Sequence, residues 1–423
     1  ITLHHYLKES QSNSKDDFIE EWGKMTLMKK LSLYIFLVLM FSFNINASAL
    51  DFMPANPPVP AEVVYKGVTE EQWKTIDKIG DPLNCRKQVY DLQNISIDDY
   101  FQITTDDCLN NENCIEDALS KHDQIMLRKG VYKLPDKRSG IFLSNQKLIG
   151  YPGETIIINA EEAMTAFEIS NSILSNLIIQ NSKNIGIAFS RNNLVYRVVV
   201  GNTGVYFKNS VRGIGFNQTN GVESNCIVSA EAYNGYNYIA GYKAGMKGGS
   251  ADGFDVKHGA GNATFIDAHG HHNSDHGFDF VYGGKPASIS PDPNIRVFYS
   301  SATYGKNFFK GGGDKSGFKI DNHTEQLESS GKDVRTRLIY GSVACRNPID
   351  GFTKPGKTKL IFIGNQSSGN KNNGKAGRNY NRKVPISASP FKNKKVNDPY
   401  ILKCKDFKKV KKFRSFDIPI DLK

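Results

Sequence analysis

The segment Gly253-Phe-Asp255 returns 24 residues later as Gly277-Phe-Asp279, and this repeat decides the fold. Related segments are Gly186-Ile-Ala-Phe189, Gly204-Val-Tyr-Phe207, Gly317-Phe-Lys319 and Gly351-Phe-Thr353. Steps of 18 and 24 residues are close to one coil of a parallel β-helix, whereas steps of 49, 40 and 34 need two coils or a coil with a loop. Residues of the same phase stack in such a solenoid, so each Phe is expected to join an interior aromatic ladder.

Short runs rich in β-branched residues surround this repeat and are separated by Asn, Gly and Ser. Examples are residues 124–128, 155–158, 176–180 and 196–200. The Asn-rich turns Asn192-Asn193, Asn220-Gly221 and Asn273-Ser274 suit left-handed corners between strands. No well-placed hairpin turn favours a sandwich. We therefore predict an all-β fold, a single right-handed parallel β-helix over residues 101–390.

The N-terminal end of this helix needs protection, because an open sheet edge invites aggregation. The segment Cys114-Ile-Glu-Asp-Ala-Leu-Ser-Lys121 has an amphipathic pattern and predicts a short capping helix. Cys108 and Cys114 are near enough in sequence to staple that cap. The chain has six cysteines, which allow 15 pairings, and the other partners stay open.

Residues outside the solenoid divide into four predicted segments. Met28-Lys-Lys30, an apolar run over 31–43 and Ala47-Ser-Ala49 are typical of a secretory signal peptide over residues 28–49. Residues 1–27 are interpreted as an upstream non-native segment, residues 50–100 as an N-terminal extension and residues 391–423 as a basic tail. We expect a secreted or periplasmic protein with no membrane span after signal removal.

The formal net charge of +11 favours polyanionic partners, namely acidic polysaccharide, nucleic acid or anionic lipid. Export and the lack of a nucleic-acid-binding motif argue against nucleic acid. The charge itself does not choose among these partners, and we expect a monomeric protein.

Three aspartates of the repeat region are candidate metal ligands. Asp252 and Asp275 are 23 residues apart, which places them on neighbouring coils, and Asp279 follows in the same segment as Asp275. Carboxylates brought together repel one another unless a cation lies between them. Calcium suits such a site because it takes six to eight oxygen ligands. The alternative is that each aspartate satisfies backbone groups at a corner, and Asp255 fits either role.

Lys319 takes the place after Gly317-Phe318 that Asp255 and Asp279 take in the earlier repeats. A lysine in this phase is expected on the same long face as the aspartates. Other basic residues of this region are candidate substrate contacts; they are Lys257, Arg296, Lys306 and Lys315. Asp314 and Asp321 lie close to Lys319 in sequence and favour its charged form.

These motifs resemble the family 9 polysaccharide lyases, the calcium-dependent pectate lyases. Residues 250–262 are similar to the family's Asp-Gly segment, residues 273–279 to its calcium-binding segment, and Gly317-Phe-Lys319 to its Gly-Phe-Lys. The resemblance covers roughly residues 100–385. It implies Asp252, Asp275 and Asp279 as calcium ligands and Lys319 as catalytic base, in a lyase acting on acidic polysaccharide by β-elimination.

His276 stands where the family has its second consecutive Asp. It takes the place of a hard oxygen ligand, and imidazole prefers softer transition ions. His276 is therefore predicted as part of the metal site, where it either points to solvent beside a weaker calcium or is a ligand of another ion. Two further hypotheses stay open: a hydrolase on the same scaffold, whose paired-carboxylate motifs are not found here, and a non-catalytic β-helix that binds glycans or surfaces.

Overall fold

The computed structural model describes residues 67–136, 139–161, 163–204, 212–218, 224–236, 251–256, 262–280, 293–303, 316–320, 336–347, 350–353, 359–370 and 394–405. In these ranges the helices are α1 (Glu70–Ile79), α2 (Cys85–Gln93) and α3 (Cys114–Leu119), with a 3₁₀ turn at Ile97–Asp99. The first strands are β1 (Phe101–Ile103), β2 (Gln124–Leu127), β3 (Gly130–Lys133), β4 (Ile141–Ser144), β5 (Lys147–Gly150), β6 (Ile156–Asn159), β7 (Thr165–Ser170), β8 (Ile173–Gln180), β9 (Ile185–Phe189), β10 (Leu194–Gly201), β11 (Ile214–Gln218), β12 (Ser224–Val228) and β13 (Glu231–Tyr233). The later strands are β14 (Phe254–Val256), β15 (Asn262–Ile266), β16 (His269–His271), β17 (Phe278–Asp279), β18 (Pro293–Phe298), β19 (Ser301–Thr303), β20 (Phe318–Lys319), β21 (Thr336–Tyr340), β22 (Val343–Cys345), β23 (Phe352–Thr353), β24 (Lys359–Ile363) and β25 (Gln366–Ser368).

These strands form three ladders in which neighbouring strands are parallel. The first ladder runs β1-β2-β5-β8-β10-β12-β15-β18-β21-β24, and the second runs β3-β6-β8-β10-β13-β16-β19-β22-β25. The long strands β8 and β10 belong to both ladders. The third ladder is β4-β7-β9-β11-β14-β17-β20-β23. Successive strands of the chain pass from ladder to ladder, which is the winding of a parallel β-helix and confirms the predicted architecture.

Aromatic rings fill the interior beside the third ladder. Phe216, Phe254, Phe278, Phe318 and Phe352 stack with centroid separations of 4.8, 4.6, 4.5 and 4.9 Å along the series. The predicted aromatic ladder is therefore confirmed for the later repeats.

The earlier repeats depart from the expected phase. Ile187, not Phe189, pairs in register with Phe216, and Phe189 faces Gln218 two places further on. Gly204 does not begin a coil, because the third ladder passes directly from β9 to β11, and Phe207 lies outside the described residues. Loops of unequal length separate the coils, so spacing alone misassigned these two segments.

The glycine of each repeat lies at a narrow corner between the second and third ladders. A Cβ atom on Gly277 would lie 2.7 Å from the Ala302 Cβ and 3.0 Å from the Gly317 carbonyl oxygen. A Cβ on Gly317 would lie 2.6 Å from the Gly351 carbonyl oxygen. Such distances are too short for carbon, so the backbones of successive coils approach closely only because this position lacks a side chain.

Asparagines occupy the corner that leads from the second ladder to the third. Asn181, Asn202 and Asn234 have positive φ angles, and their amides form a ladder with N–H···O distances of 3.2 and 2.9 Å. Asn192 also has positive φ, at the corner before the first ladder, as predicted. At the predicted Asn273 corner the left-handed residue is His272, while the Asn273 side chain bonds the Gly235 N–H and the Ala232 carbonyl. Asn220 lies outside the described residues.

The N-terminal helices cover one end and one flank of the solenoid. Helix α3 buries Cys114, Ile115, Ala118 and Leu119 in the interior cluster, and Cys108 bonds Cys114, so the predicted cap is confirmed. Helices α1 and α2 pack on the outer side of the first ladder; their buried residues, Trp73, Ile76, Cys85, Val89 and Leu92, join a second apolar cluster there. A Cys85–Cys226 disulfide attaches α2 to β12.

The C-terminal end is covered by residues 394–405. Lys394 pairs with Ile363, and Cys404 forms a disulfide with Cys345 of β22. Asp398 accepts hydrogen bonds from the hydroxyls of Tyr299 and Tyr340 at 2.7 and 2.9 Å. No helix in the described part of the chain is both long and apolar enough to cross a bilayer. The predicted signal peptide and most of the predicted tail lie outside that part.

Candidate active site

The third ladder carries a column of polar side chains one place after its stacked phenylalanines. Asp255 pairs in register with Asp279, Asp279 with Lys319, and Lys319 with Thr353. Side chains alternate between the two faces of a strand, so this column lies opposite the interior rings. The expected juxtaposition of Asp279 and Lys319 on one face is therefore present in the structure.

A second column lies in the turn that precedes the ladder. Asp252 and His276 each stand two places before a stacked phenylalanine, and the His276 N–H donates to Asp252 Oδ1 at 3.1 Å. The Gly253 N–H donates to the His276 carbonyl, which holds the two turns together. Asp275 lies on the coil next to Asp252, as predicted, but its N–H donates to the Ala251 carbonyl. The residue in register with Asp252 is thus His276.

Three of the predicted metal ligands converge. One donor atom each of Asp252, His276 and Asp279 lies within 4.8 Å of the others, and all three residues are at most 2% exposed. Asp275 lies beside them: its Oδ1 is 3.1 Å from His276 Nε2, a close electrostatic contact. The geometry therefore gathers two carboxylates and an imidazole at one point, with a third carboxylate against the imidazole.

Lys319 reaches this group from the next coil. Its Nζ donates a hydrogen bond to Asp279 Oδ2 at 3.1 Å, and its side chain is 17% exposed. Burial lowers the pKa of Lys319, but the negative charges of Asp279, Asp252 and Asp275 outweigh burial and raise it above its usual value. With these carboxylates around it and no cation between them, the Lys319 side chain is an ammonium group.

Sequence reasoning missed a buried polar chain on the second ladder. His271 Nε2 lies 2.6 Å from Glu231 Oε1, and His271 Nδ1 lies 2.8 Å from His272 Nδ1. His269 lies between Ser301 and Asp267, at 2.8 Å from each. Glu231 pairs in register with His269 on the neighbouring strand. That pairing could not be predicted from the sequence, because the register of the two strands was unknown.

Burial determines the protonation states of Glu231 and His271 in this group. It raises the pKa of Glu231 to about 8 and lowers the pKa of His271 to about 3. A carboxyl whose folded pKa is raised stabilises the fold below its unfolded pKa and loses that contribution as pH rises through the folded pKa. A histidine with a lowered pKa acts in the opposite direction, because it costs stability as pH falls below about 6.5.

We expect Glu231→Gln to reduce the decrease in the free energy of unfolding that accompanies rising pH. In the wild type the free energy of unfolding should fall as pH rises from about 4.5 to about 8, since the folded Glu231 keeps its proton in that window. Glutamine keeps an oxygen for His271 and does not titrate. Urea unfolding at several pH values between about 5 and 9 measures this. Equal slopes in the wild type and the variant would show that Glu231 is not the group responsible.

The other sequence candidates lie elsewhere or outside the described residues. Arg296 is buried on the outer side of the first ladder, where its charge acts on Asp81 between α1 and α2. It is therefore not placed to contact a substrate at Lys319, because the first and third ladders are different faces of the solenoid. Outside the described residues lie Lys257, Lys306, Lys315, Asp314 and Asp321.

Residues 108–389 match a family described as Pel9A-like, right handed beta helix region. The chain belongs to this Pel9A-like family. The match spans two thirds of the chain and includes all the site residues described above, so the resemblance seen in the motifs is confirmed. It also confirms the right-handed winding of this Pel9A-like β-helix.

Solved structures similar to this Pel9A-like helix are glycan-active proteins. The pectate lyase Pel9A is 18% identical, with a TM-score of 0.45, covering 63% of this chain and 67% of that one. A rhamnogalacturonan lyase is 13% identical, with a TM-score of 0.42 and coverages of 66% and 80%. An alginate lyase from Paenibacillus sp. str. FPU-7 is 11% identical, with a TM-score of 0.32 and coverages of 61% and 92%. A search of curated protein sequences gives no match.

Proposed function

We propose that this protein is a lyase that cleaves a 4-linked acidic polysaccharide by β-elimination, with Lys319 as the base. The observation that carries the proposal is the register of Lys319 with Asp279, which sets a lysine beside a cluster of buried carboxylates. Membership of the Pel9A-like family supports it. The substrate is a polyuronate, because the basic chain favours a polyanion.

The chemistry requires one proton to leave carbon. The C5 proton of a uronate lies next to a carboxylate, which resists losing it because negative charge accumulates. Lys319 Nζ takes this proton in its neutral form, the C–H electron pair forms the C4–C5 double bond, and the C4–O bond breaks so that the glycosyl oxygen leaves with its electrons and is protonated by water. Asp279 positions the lysine amine through the 3.1 Å contact.

A divalent cation fits the group formed by Asp252, His276 and Asp279, because their donor atoms converge and the surroundings are buried. Such an ion would neutralise the substrate carboxylate and stabilise the developing charge. It would also offset the carboxylates that raise the pKa of Lys319, so activity is expected to increase with pH as the lysine loses its proton.

The test is incubation of the purified protein with a panel of uronans, with a divalent cation or with chelator. Elimination leaves a conjugated double bond that absorbs in the ultraviolet, whereas hydrolysis leaves none. We expect absorbance to grow with at least one uronan and to stop with chelator. If new reducing ends form without ultraviolet absorbance, the protein is a hydrolase and the lyase proposal is wrong.

A non-catalytic glycan-binding module is the second candidate. The ion pair between Lys319 and Asp279 favours it, because a lysine held protonated binds a uronate carboxylate but removes no proton. Saturable binding of a uronan with no turnover across the pH range would support this alternative.

Export is part of the proposal. The signal pattern of residues 28–49 predicts it, and all six cysteines are paired in disulfides. Disulfides persist in oxidising compartments, which suits a secreted or periplasmic protein. Monomeric state stays a prediction.

A further inference from the structure

We infer that the ion selected by Asp252, His276 and Asp279 is a first-row transition ion, such as Zn²⁺ or Co²⁺, in preference to Ca²⁺. The inference deepens the proposed function and rests on it for the role of the ion, but the binding itself is independent of catalysis. It is carried by the donor set that the structure brings together.

The position of His276 makes its ring a participant. It occupies the turn position in register with Asp252, and its backbone N–H is bonded to the Asp252 carboxylate. The residue is 1% exposed, so the ring points into the protein and not into solvent. A donor atom of His276 lies within 4.8 Å of those of Asp252 and Asp279, so the three side chains can share one ion, and Zn²⁺ with bonds of about 2.0–2.2 Å would draw them closer together.

The contact between His276 and Asp275 suits metal ligation. The Asp275 Oδ1 atom lies 3.1 Å from His276 Nε2, an electrostatic contact that lacks hydrogen-bond geometry. With Asp275 against Nε2, Nδ1 is the ring nitrogen that remains for a cation. Metal-ligating histidines commonly have a carboxylate against their other nitrogen, which orients the ring and raises its basicity. In this arrangement Asp275 supports the ligand and is not itself one of the converging three.

Calcium fits this donor set poorly. It prefers six to eight oxygen ligands, and an imidazole nitrogen takes one of the places. Imidazole together with carboxylates suits zinc, cobalt and related ions at shorter distances and lower coordination numbers. Among the first-row ions, affinity for one such site is expected to be lower for Mn²⁺ than for Co²⁺.

The experiment measures metal binding without polysaccharide. The whole protein is stripped with chelator and titrated with Co²⁺, followed by its visible absorption, and separately with Zn²⁺ and Ca²⁺ by calorimetry. We expect one Co²⁺ per chain with a spectrum that reports nitrogen ligation, and Zn²⁺ affinity at least about 100-fold above that for Ca²⁺. Tighter binding of Ca²⁺, or no binding of any of these ions, would overturn the inference.

Two variants locate the ion. His276→Asp replaces the imidazole by a carboxylate and should reverse the preference, with weaker Co²⁺ and tighter Ca²⁺ binding. His272→Asn removes one buried histidine of the neighbouring Glu231–His271–His272 group and places Asn at a corner where Asn181, Asn202 and Asn234 already occur, so it should fold and bind Co²⁺ as the wild type does. An unchanged Co²⁺ spectrum in His276→Asp would contradict the assignment.

The outcomes separate this inference from the proposed function. Circular dichroism and the thermal midpoint of each variant confirm folding before any titration is interpreted. If Zn²⁺ or Co²⁺ binds through His276 and no uronan is cleaved, the metal assignment stands and the lyase proposal fails. If a uronan is cleaved with Ca²⁺ and the transition ions do not bind, the lyase proposal stands and the metal assignment fails.

Discussion

Lys319→Ala is expected to abolish formation of the unsaturated product while the fold remains intact. Loss of a positioned base costs about 10²–10⁴-fold in rate, and no other group is proposed to take the C5 proton. Because Lys319 is partly exposed and lies on the outer face of its strand, alanine leaves the stacked interior untouched. The measurement is the initial rate of ultraviolet absorbance increase with the uronan that the wild type cleaves best.

Two matched variants complete this test. Lys319→Arg keeps a positive charge near Asp279, but a guanidinium group does not give up its proton, so it should be as inactive as alanine. Lys183 is a control of the same kind: it is 19% exposed and pairs with Asp136 at 3.3 Å, on a different coil. Lys183→Ala should keep the wild-type rate. Retained activity in Lys319→Ala would remove this lysine from the mechanism.

Phe278→Ala is expected to reduce the free energy of unfolding by about 3–5 kcal/mol, the usual cost of deleting a buried phenylalanine ring. The ring is fully buried between Phe254 and Phe318, with centroids 4.6 and 4.5 Å away. Its loss leaves a cavity in a stack whose backbone spacing is set by the strand hydrogen bonds, so the neighbours cannot close it. Urea unfolding followed by circular dichroism measures the change.

Phe142 provides the control for this prediction. It lies in the same ladder, one place after the interior position, and is 60% exposed. Phe142→Ala should change stability by less than about 0.5 kcal/mol, as is usual for surface substitutions. Similar losses in the two variants would mean that the interior stack is not what stabilises these coils.

The sequence was sufficient to predict which residues share a column where one repeat followed another closely. The 24-residue step from Gly253 to Gly277 and the phase of Lys319 correctly placed Asp255, Asp279 and Lys319 in one column. The same reasoning failed for Phe189, because a glycine followed by an aromatic two or three places on has no unique phase when coil lengths vary.

Other features depended on contacts between distant parts of the chain. The pairing of His276 with Asp252 needed the exact register of the two turns, since a shift of one residue would put Asp275 there instead. The packing of α1 and α2 on the first ladder depends on apolar contacts and on a disulfide across 141 residues, and sequence spacing reveals neither. The Glu231–His271 contact joins two strands whose register was unknown.

The two long-range disulfides leave the coils between them without a covalent bridge. One closes residues 85–226 into a ring and the other closes residues 345–404, so the coils carrying Asp252 to Lys319 belong to neither. If the solenoid unfolds from a terminus, the disulfide keeps that terminal part as a closed ring. The unfolded ring has less conformational entropy than an open chain, so its unfolding is less favourable. Unfolding that begins at either end is therefore less favourable, and the coils of the candidate site keep their neighbours although no disulfide joins them.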